Sequence, residues 1–203
     1  MYELNNIVTR SIHGLHSFDD QPAVISPSGE KIWYAYGERH RDNDQPAVIS
    51  PSGSKTWYRY GKRHRLGSPA VVNDTVDMWY RDGELHREDG PAVIQPNGHK
   101  EWYLNGKLHR EDGPAYIRTD GAKQWWINGK RHREDGPAIT RLDGMKFWYL
   151  NGRKHREDGP AVIRPNGRKE WYLNGDHCTF ENYVNTLYPN DCPEKTMFMM
   201  KWS

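Results

Sequence analysis

Histidine and aspartate recur together, three residues apart: His86 with Asp89, His109 with Asp112, His132 with Asp135, His155 with Asp158. An imidazole beside a carboxylate can serve as a general base with its orienter. Each loop also offers one imidazole and two carboxylates, a donor set for a metal ion. Three features oppose both chemistries. The pairs come in equivalent copies, whereas catalysis needs one unique constellation. No Ser or Cys nucleophile recurs beside them. An Arg sits inside every loop and repels a cation. The structural reading is that Asp or Glu caps the turn before Gly-Pro, while His and Arg pair with neighbouring acids. Cys178, Cys192 and His177 lack the paired spacing of zinc motifs. The expectation is no catalytic residue, no metal, no cofactor and no enzymatic activity.

The elements that carry these loops are repeats. The Pro-Ala pair recurs at Pro22, Pro46, Pro69, Pro91, Pro114, Pro137 and Pro160, spaced 22–24 residues apart. A tryptophan follows each at nearly fixed distance: Trp33, Trp57, Trp79, Trp102, Trp125, Trp148 and Trp171. Such a period means a repeat array, read one unit at a time. In the unit from Gly90 to Gly113, Pro91-Ala92-Val93-Ile94 is a β-branched run and predicts a strand. Pro96-Asn97-Gly98 predicts a turn. Lys100-Glu101-Trp102-Tyr103-Leu104 predicts a second strand, and Asn105-Gly106 a second turn. The fold class is all-β: an elongated single-layer antiparallel meander of seven hairpin repeats with a short C-terminal helical cap. Alternation puts Trp side chains in a ladder on one face and Tyr on the other, with Lys stems over the indoles.

Three segments follow. Residues 1–21 are an N-terminal cap and degenerate repeat, 22–175 the array, and 176–203 the C-terminal cap. In the last, Thr179 caps a helix over 179–188, with Phe180, Tyr183, Val184 and Leu187 on one face. That helix is expected to cover the last hairpin and hide its open edge. The tail Met197-Phe198-Met199-Met200-Lys201-Trp202 packs under the helix or serves as a docking peptide.

The net charge of +2 argues against nucleic acid, whose binders carry a clear basic excess. Mean hydropathy is −1.03. No run approaches a membrane span and no signal peptide is visible, so a cytoplasmic location with reduced Cys178 and Cys192 is expected.

The Trp-Tyr-x-Asn-Gly strand and its punctuating glycines resemble the MORN-type repeat family, whose units are β-hairpins of about this length. The phrase His-Arg-Glu-Asp-Gly-Pro-Ala, at 86–92, 109–115, 132–138 and 155–161, resembles repeats of tailed-phage and giant-virus proteins. The resemblance covers residues 22–175. It implies a phage-encoded, non-enzymatic scaffold that binds a host macromolecule, most concretely an inhibitor of a host or defence protein. A structural or virion-associated spacer and an antitoxin-like protective protein are the alternatives.

The candidate site lies where the repeats disagree. Two residues after each Trp the array reads Ala35, Arg59, Arg81, Leu104, Ile127, Leu150 and Leu173. Trp57 with Arg59, and Trp79 with Arg81, are expected to share a strand face. Trp and Arg are enriched at interface hot spots and suit an acidic protein surface or a nucleotide. Tyr36 and Tyr60 stand where other units carry a turn-forming Asp or Asn. The expected partner is a protein, with a nucleotide ligand as the second possibility and no membrane.

Overall fold

The computed structural model describes residues 14–202. Residues 1–13 of the expected N-terminal cap lie outside the described residues. The fold is an antiparallel β meander of repeated hairpins with a C-terminal helical cap. It divides into two compact units, Met1–Lys107 and Leu108–Ser203.

In the first unit the sheet runs through strands Val24–Ile25, Lys31–Ile32, Val48–Ile49, Lys55–Thr56, Val71–Val72, Asp77–Met78, Val93–Ile94 and Lys100–Glu101, each hydrogen-bonded to the next. Ile32 lies opposite Val24 on one side and Val48 on the other. In the second unit the same order continues from Tyr116–Ile117 to Val162–Ile163, Lys169–Leu173 and Asp176–Cys178.

Each repeat carries a second hairpin beside this sheet. Tyr58–Arg59 pairs with Lys62–Arg63, and Tyr149–Leu150 with Arg153–Lys154. The long second strand expected from the sequence is therefore broken at its Trp, and the reason is a hydrogen bond to the next repeat. Trp57 N donates to Ala70 O at 2.8 Å, and Trp57 O accepts from His64 N at 3.2 Å. Trp148 does the same with Ala161 and His155. The Trp peptide thus leaves the sheet and turns the chain into the outer hairpin. In the last repeat Trp171 pairs instead with Cys178, and the strand runs unbroken through Lys169–Leu173. The close approach also explains the Pro-Ala pair. Ala47, Ala70, Ala92, Ala115, Ala138 and Ala161 are fully buried, with no space for a larger side chain.

The outer hairpins turn on two residues with positive φ, such as Asn128 at 50° and Gly129 at 77°. That is a type I′ turn, whose twist matches the strands and which Asn-Gly adopts most easily. The turn is tied to the preceding repeat by histidine. Nδ1 of His109 accepts from Asn128 N at 3.2 Å, and Nδ1 of His132 from Asn151 N at 3.2 Å.

The cap contains two helices. Helix α1 is Phe180–Leu187, and Thr179 Oγ1 accepts from Asn182 N at its start, as expected from the sequence. Helix α2 is Pro193–Trp202 and takes in the apolar tail Met197–Trp202, for which the sequence predicts no helix. Trp171, Tyr183, Val184 and Phe198 form the core of the cap, with Trp202 packed against it. The tail is thus a helix that packs, although Met197 and Met200 remain exposed.

Candidate functional site

The recurrent His and Asp do not form dyads. Each goes to a different partner. His132 Nε2 faces Glu134 at 3.5 Å and His155 Nε2 faces Glu157 at 3.3 Å, while Nδ1 holds the next turn. Asp135 is bound by Arg133 at 2.7 Å and Asp158 by Arg156 at 2.6 Å. The same guanidiniums lie over tryptophan: Arg133 is 4.0 Å from the Trp125 ring and Arg156 is 4.0 Å from Trp148. Their Nη1 donates to Pro137 O and Pro160 O at 3.4 and 3.3 Å. In these repeats one arginine therefore fastens indole, acid and the following Pro-Ala. The cation over the repeat indole is this arginine, not the lysine stem expected from the sequence. Its face contact contributes roughly 0.5–2 kcal/mol, depending on desolvation.

For Arg41 and Arg65 the acid comes from the preceding connection, whereas Arg87 holds Asp89 of its own connection at 2.8 Å. Arg41 Nε and Nη2 donate to both oxygens of Asp20 at 2.7 and 2.8 Å, and Arg65 holds Asp44 at 2.8 and 2.7 Å. The hydrogen bond from each arginine, reinforced by its charge, outweighs desolvation and holds the carboxyl below its ordinary value of 3.8. A depressed carboxylate stabilises the fold above its unfolded pKa and ceases to do so as pH falls through the folded one. Asp44→Asn should therefore lower the melting temperature at pH 6. The gap to wild type should narrow below about pH 4 and close as the Asp44 carboxylate is protonated, because the variant has no ion pair to lose. A gap that stays constant down to pH 2 would contradict this assignment.

The residues singled out from the sequence fall into two groups. Trp57 is buried; its Nε1 donates to Asp44 O at 2.9 Å and Arg65 lies 3.8 Å from its ring. Trp79 is half-buried, with Arg87 at 4.1 Å. Arg59 and Arg81 are exposed on the outer hairpins, and Arg81 reaches Glu88 at 3.0 Å. Each indole is thus covered by a guanidinium from its own connection.

Tyr36 and Tyr60 stand at the tips of successive outer hairpins, 64 % and 51 % exposed. Gly61 N donates to Arg39 O at 2.9 Å, so the second tip lies against the first hairpin. Both tyrosines occupy the left-handed region, with φ of 52° and 45°. Asp82, Asn105, Asn128, Asn151 and Asn174 occupy the same turn position in the other repeats. This conformation costs an ordinary residue roughly 1–2 kcal/mol, and Asn tolerates it better. Tyr60 recovers part of that by stacking on His40, with centroids 4.3 Å apart and planes at 7°. The charges on these two hairpins are Arg39, Arg59, Lys62 and Arg63 against one acid, Glu38, all exposed.

No protein-family model matches the chain, and no curated protein matches it. The assignment of a site therefore rests on this geometry.

Sequence reasoning did not find the grooves of the second unit. One of about 650 Å³ has Trp125 and Ile127 among its lining residues, and the next, of about 700 Å³, has Trp148 and Leu150. Their walls are successive Arg-Glu-Asp loops. The Glu134 and Asp135 side chains are 82 % and 81 % exposed while Arg133 is only 24 % exposed. The charge offered outward is therefore acidic, which disfavours a phosphate backbone there. The signal was present in the repeated Glu-Asp pair. Only the inward fold of Arg and His makes it an acidic rim. Among the described residues no cluster of three or more His, Cys, Asp or Glu is placed to hold a metal ion. No helix among them is long and apolar enough to cross a membrane.

Proposed function

We propose that this chain is a non-enzymatic repeat scaffold that binds a protein partner through the outer hairpin tips of its first unit. One observation carries the reading: Tyr36 and Tyr60 are exposed aromatics in a backbone conformation that favours Asn or Gly. Strain of this kind clusters at functional sites. Exposed tyrosines on hairpins that carry arginines have the composition of an interface hot spot. The basic residues around them, Arg39, Arg59, Lys62 and Arg63, favour an acidic protein surface. The resemblance of the connection phrase to repeats of tailed-phage and giant-virus proteins supports a host or defence protein as partner, and inhibition of it as the result.

The test is site-directed photo-crosslinking. A photoreactive phenylalanine at position 36 or 60 should capture the same protein from host lysate. Placed at Leu142, which is 77 % exposed in the second unit, it should not. Equal capture from all three positions, or none from 36 and 60, would sink the reading.

A further inference from the structure

Repeat seven contains a finished receptor for a carboxylate. Arg164 Nε and Nη2 both reach Oε1 of Glu170, at 2.8 and 2.7 Å, and the Glu170 side chain is 11 % exposed. The equivalent residues are Arg118 and Gln124 in repeat five, and Arg141 and Phe147 in repeat six. These two repeats keep the arginine and replace the acid with a neutral side chain.

A third guanidinium joins them. Arg131 stands where repeat four has Leu108 and repeat six has Lys154. Arg118, Gln124, Arg131 and Arg141 line one cleft of about 580 Å³, together with Asp120 and Asp143. The volume is in the range typical of small-ligand sites, roughly 300–1,000 Å³. The Arg131 guanidinium is held by two aromatic rings, 4.9 Å from Trp126 and 5.4 Å from Tyr149. Its Nε is buried and has no hydrogen-bond partner. A buried donor left unpaired is destabilising and is relieved by an acceptor.

The acids in the cleft are otherwise engaged. Asp120 pairs with Arg118 at 3.1 Å and accepts from Ala122 N at 3.0 Å. Asp143 accepts from Met145 N at 3.0 Å and so fixes its own turn. Arg141 touches Met145 Sδ at 3.9 Å and lies 5.4 Å from the Phe147 ring, and neither is an anion. Arg131 and Arg141 are thus two guanidiniums that line one cleft and are ion-paired to neither of its acids, Asp120 and Asp143.

We propose that this cleft is a binding site for a small anionic ligand, held through a carboxylate or phosphate group by Arg131 and Arg141. The chemistry is charge-assisted hydrogen bonding to a planar fork, which suits either oxyanion. The aromatic rings hold Arg131 in place beforehand, so little side-chain freedom is lost on binding. Gln124 adds a neutral amide that can donate to the same group.

The full chain, labelled with ¹⁵N, is titrated with inorganic phosphate and separately with succinate at constant ionic strength. The Arg131 Nε–Hε resonance reports the site. A saturable shift with phosphate alone assigns a phosphoryl ligand, with succinate alone a carboxylate ligand, and with both a general oxyanion site. Arg131→Leu, the residue of repeat four, should weaken binding about tenfold or more, the loss expected for a charge-assisted bond. Gln124→Glu rebuilds the acid of repeat seven within the cleft and should weaken it at least as much. This second variant decides the matter if Arg131→Leu does not fold. No saturable shift with either anion, or unchanged affinity in the folded variants, overturns the proposal.

Discussion

Tyr183→Ala is expected to destabilise the C-terminal unit by about 3–5 kcal/mol, as for a large aromatic removed from a packed core. Tyr183 is fully buried between Trp171 and Phe198, with ring centroids 4.7 and 5.9 Å away. Its hydroxyl lies 2.5 Å from Arg156 O and 3.0 Å from Gly159 O, sharing one proton between two carbonyls. Burial pushes the pKa of this phenol up, so the group stays a neutral donor. Tyr183→Phe keeps the packing and removes only the donor, at about 1–3 kcal/mol. A companion change tests the second helix. A Cβ at Gly159 would meet Trp202 at 2.6 Å, whereas one at Gly136 meets only the flexible tip of Arg133, at 3.1 Å or more. Gly159→Ala should therefore release α2 and speed amide exchange over 193–202, while Gly136→Ala leaves that segment protected. Equal exchange in the two variants, or a Tyr183→Ala protein as stable as Tyr183→Phe, would refute this account of the cap.

The period, the hairpin turns and the start of α1 were legible in the sequence because each is local. Asn-Gly specifies a type I′ turn by itself, and Thr179 followed by an apolar stripe specifies a helix start. The break at Trp was not legible. It depends on a hydrogen bond from Trp57 N to Ala70 O, thirteen residues along the chain. Helix α2 escaped because its apolar residues do not gather on one side. Phe198 is buried, whereas Met197, Met199 and Met200 are exposed. The arginine–indole contact could not be chosen over a lysine–indole one, since both cations recur at the same period. The strand breaks at Trp, so Arg59 and Arg81 follow the outer hairpins while Arg65 and Arg87 cover the rings.

The candidate site was half visible. Tyr36 and Tyr60 stood out by type, since a turn that elsewhere takes Asp or Asn carried an aromatic. Their positive φ needed the structure. The anion cleft was visible only as Gln124 and Phe147 in place of Glu. It acquires meaning when Arg118, Arg131 and Arg141, spread over 24 residues, are found around one cavity.

The binding account is tested most directly by the double variant Tyr36→Asn/Tyr60→Asn. Asn is the residue that four other repeats use at this turn. Relief of left-handed strain, about 1 kcal/mol at each position, offsets the lost contacts to His16 and His40, each worth roughly 0.5–1.5 kcal/mol. The melting temperature should therefore stay within a few degrees of wild type. Affinity for the captured partner should fall on the order of a hundredfold or more, as when two aromatic hot spots are removed together. Both quantities are read on the same preparation, by calorimetric melting and titration calorimetry. A variant that melts like wild type and no longer binds is the predicted result. A variant that melts like wild type and binds with full affinity would contradict the assignment of the tyrosine tips as the interface.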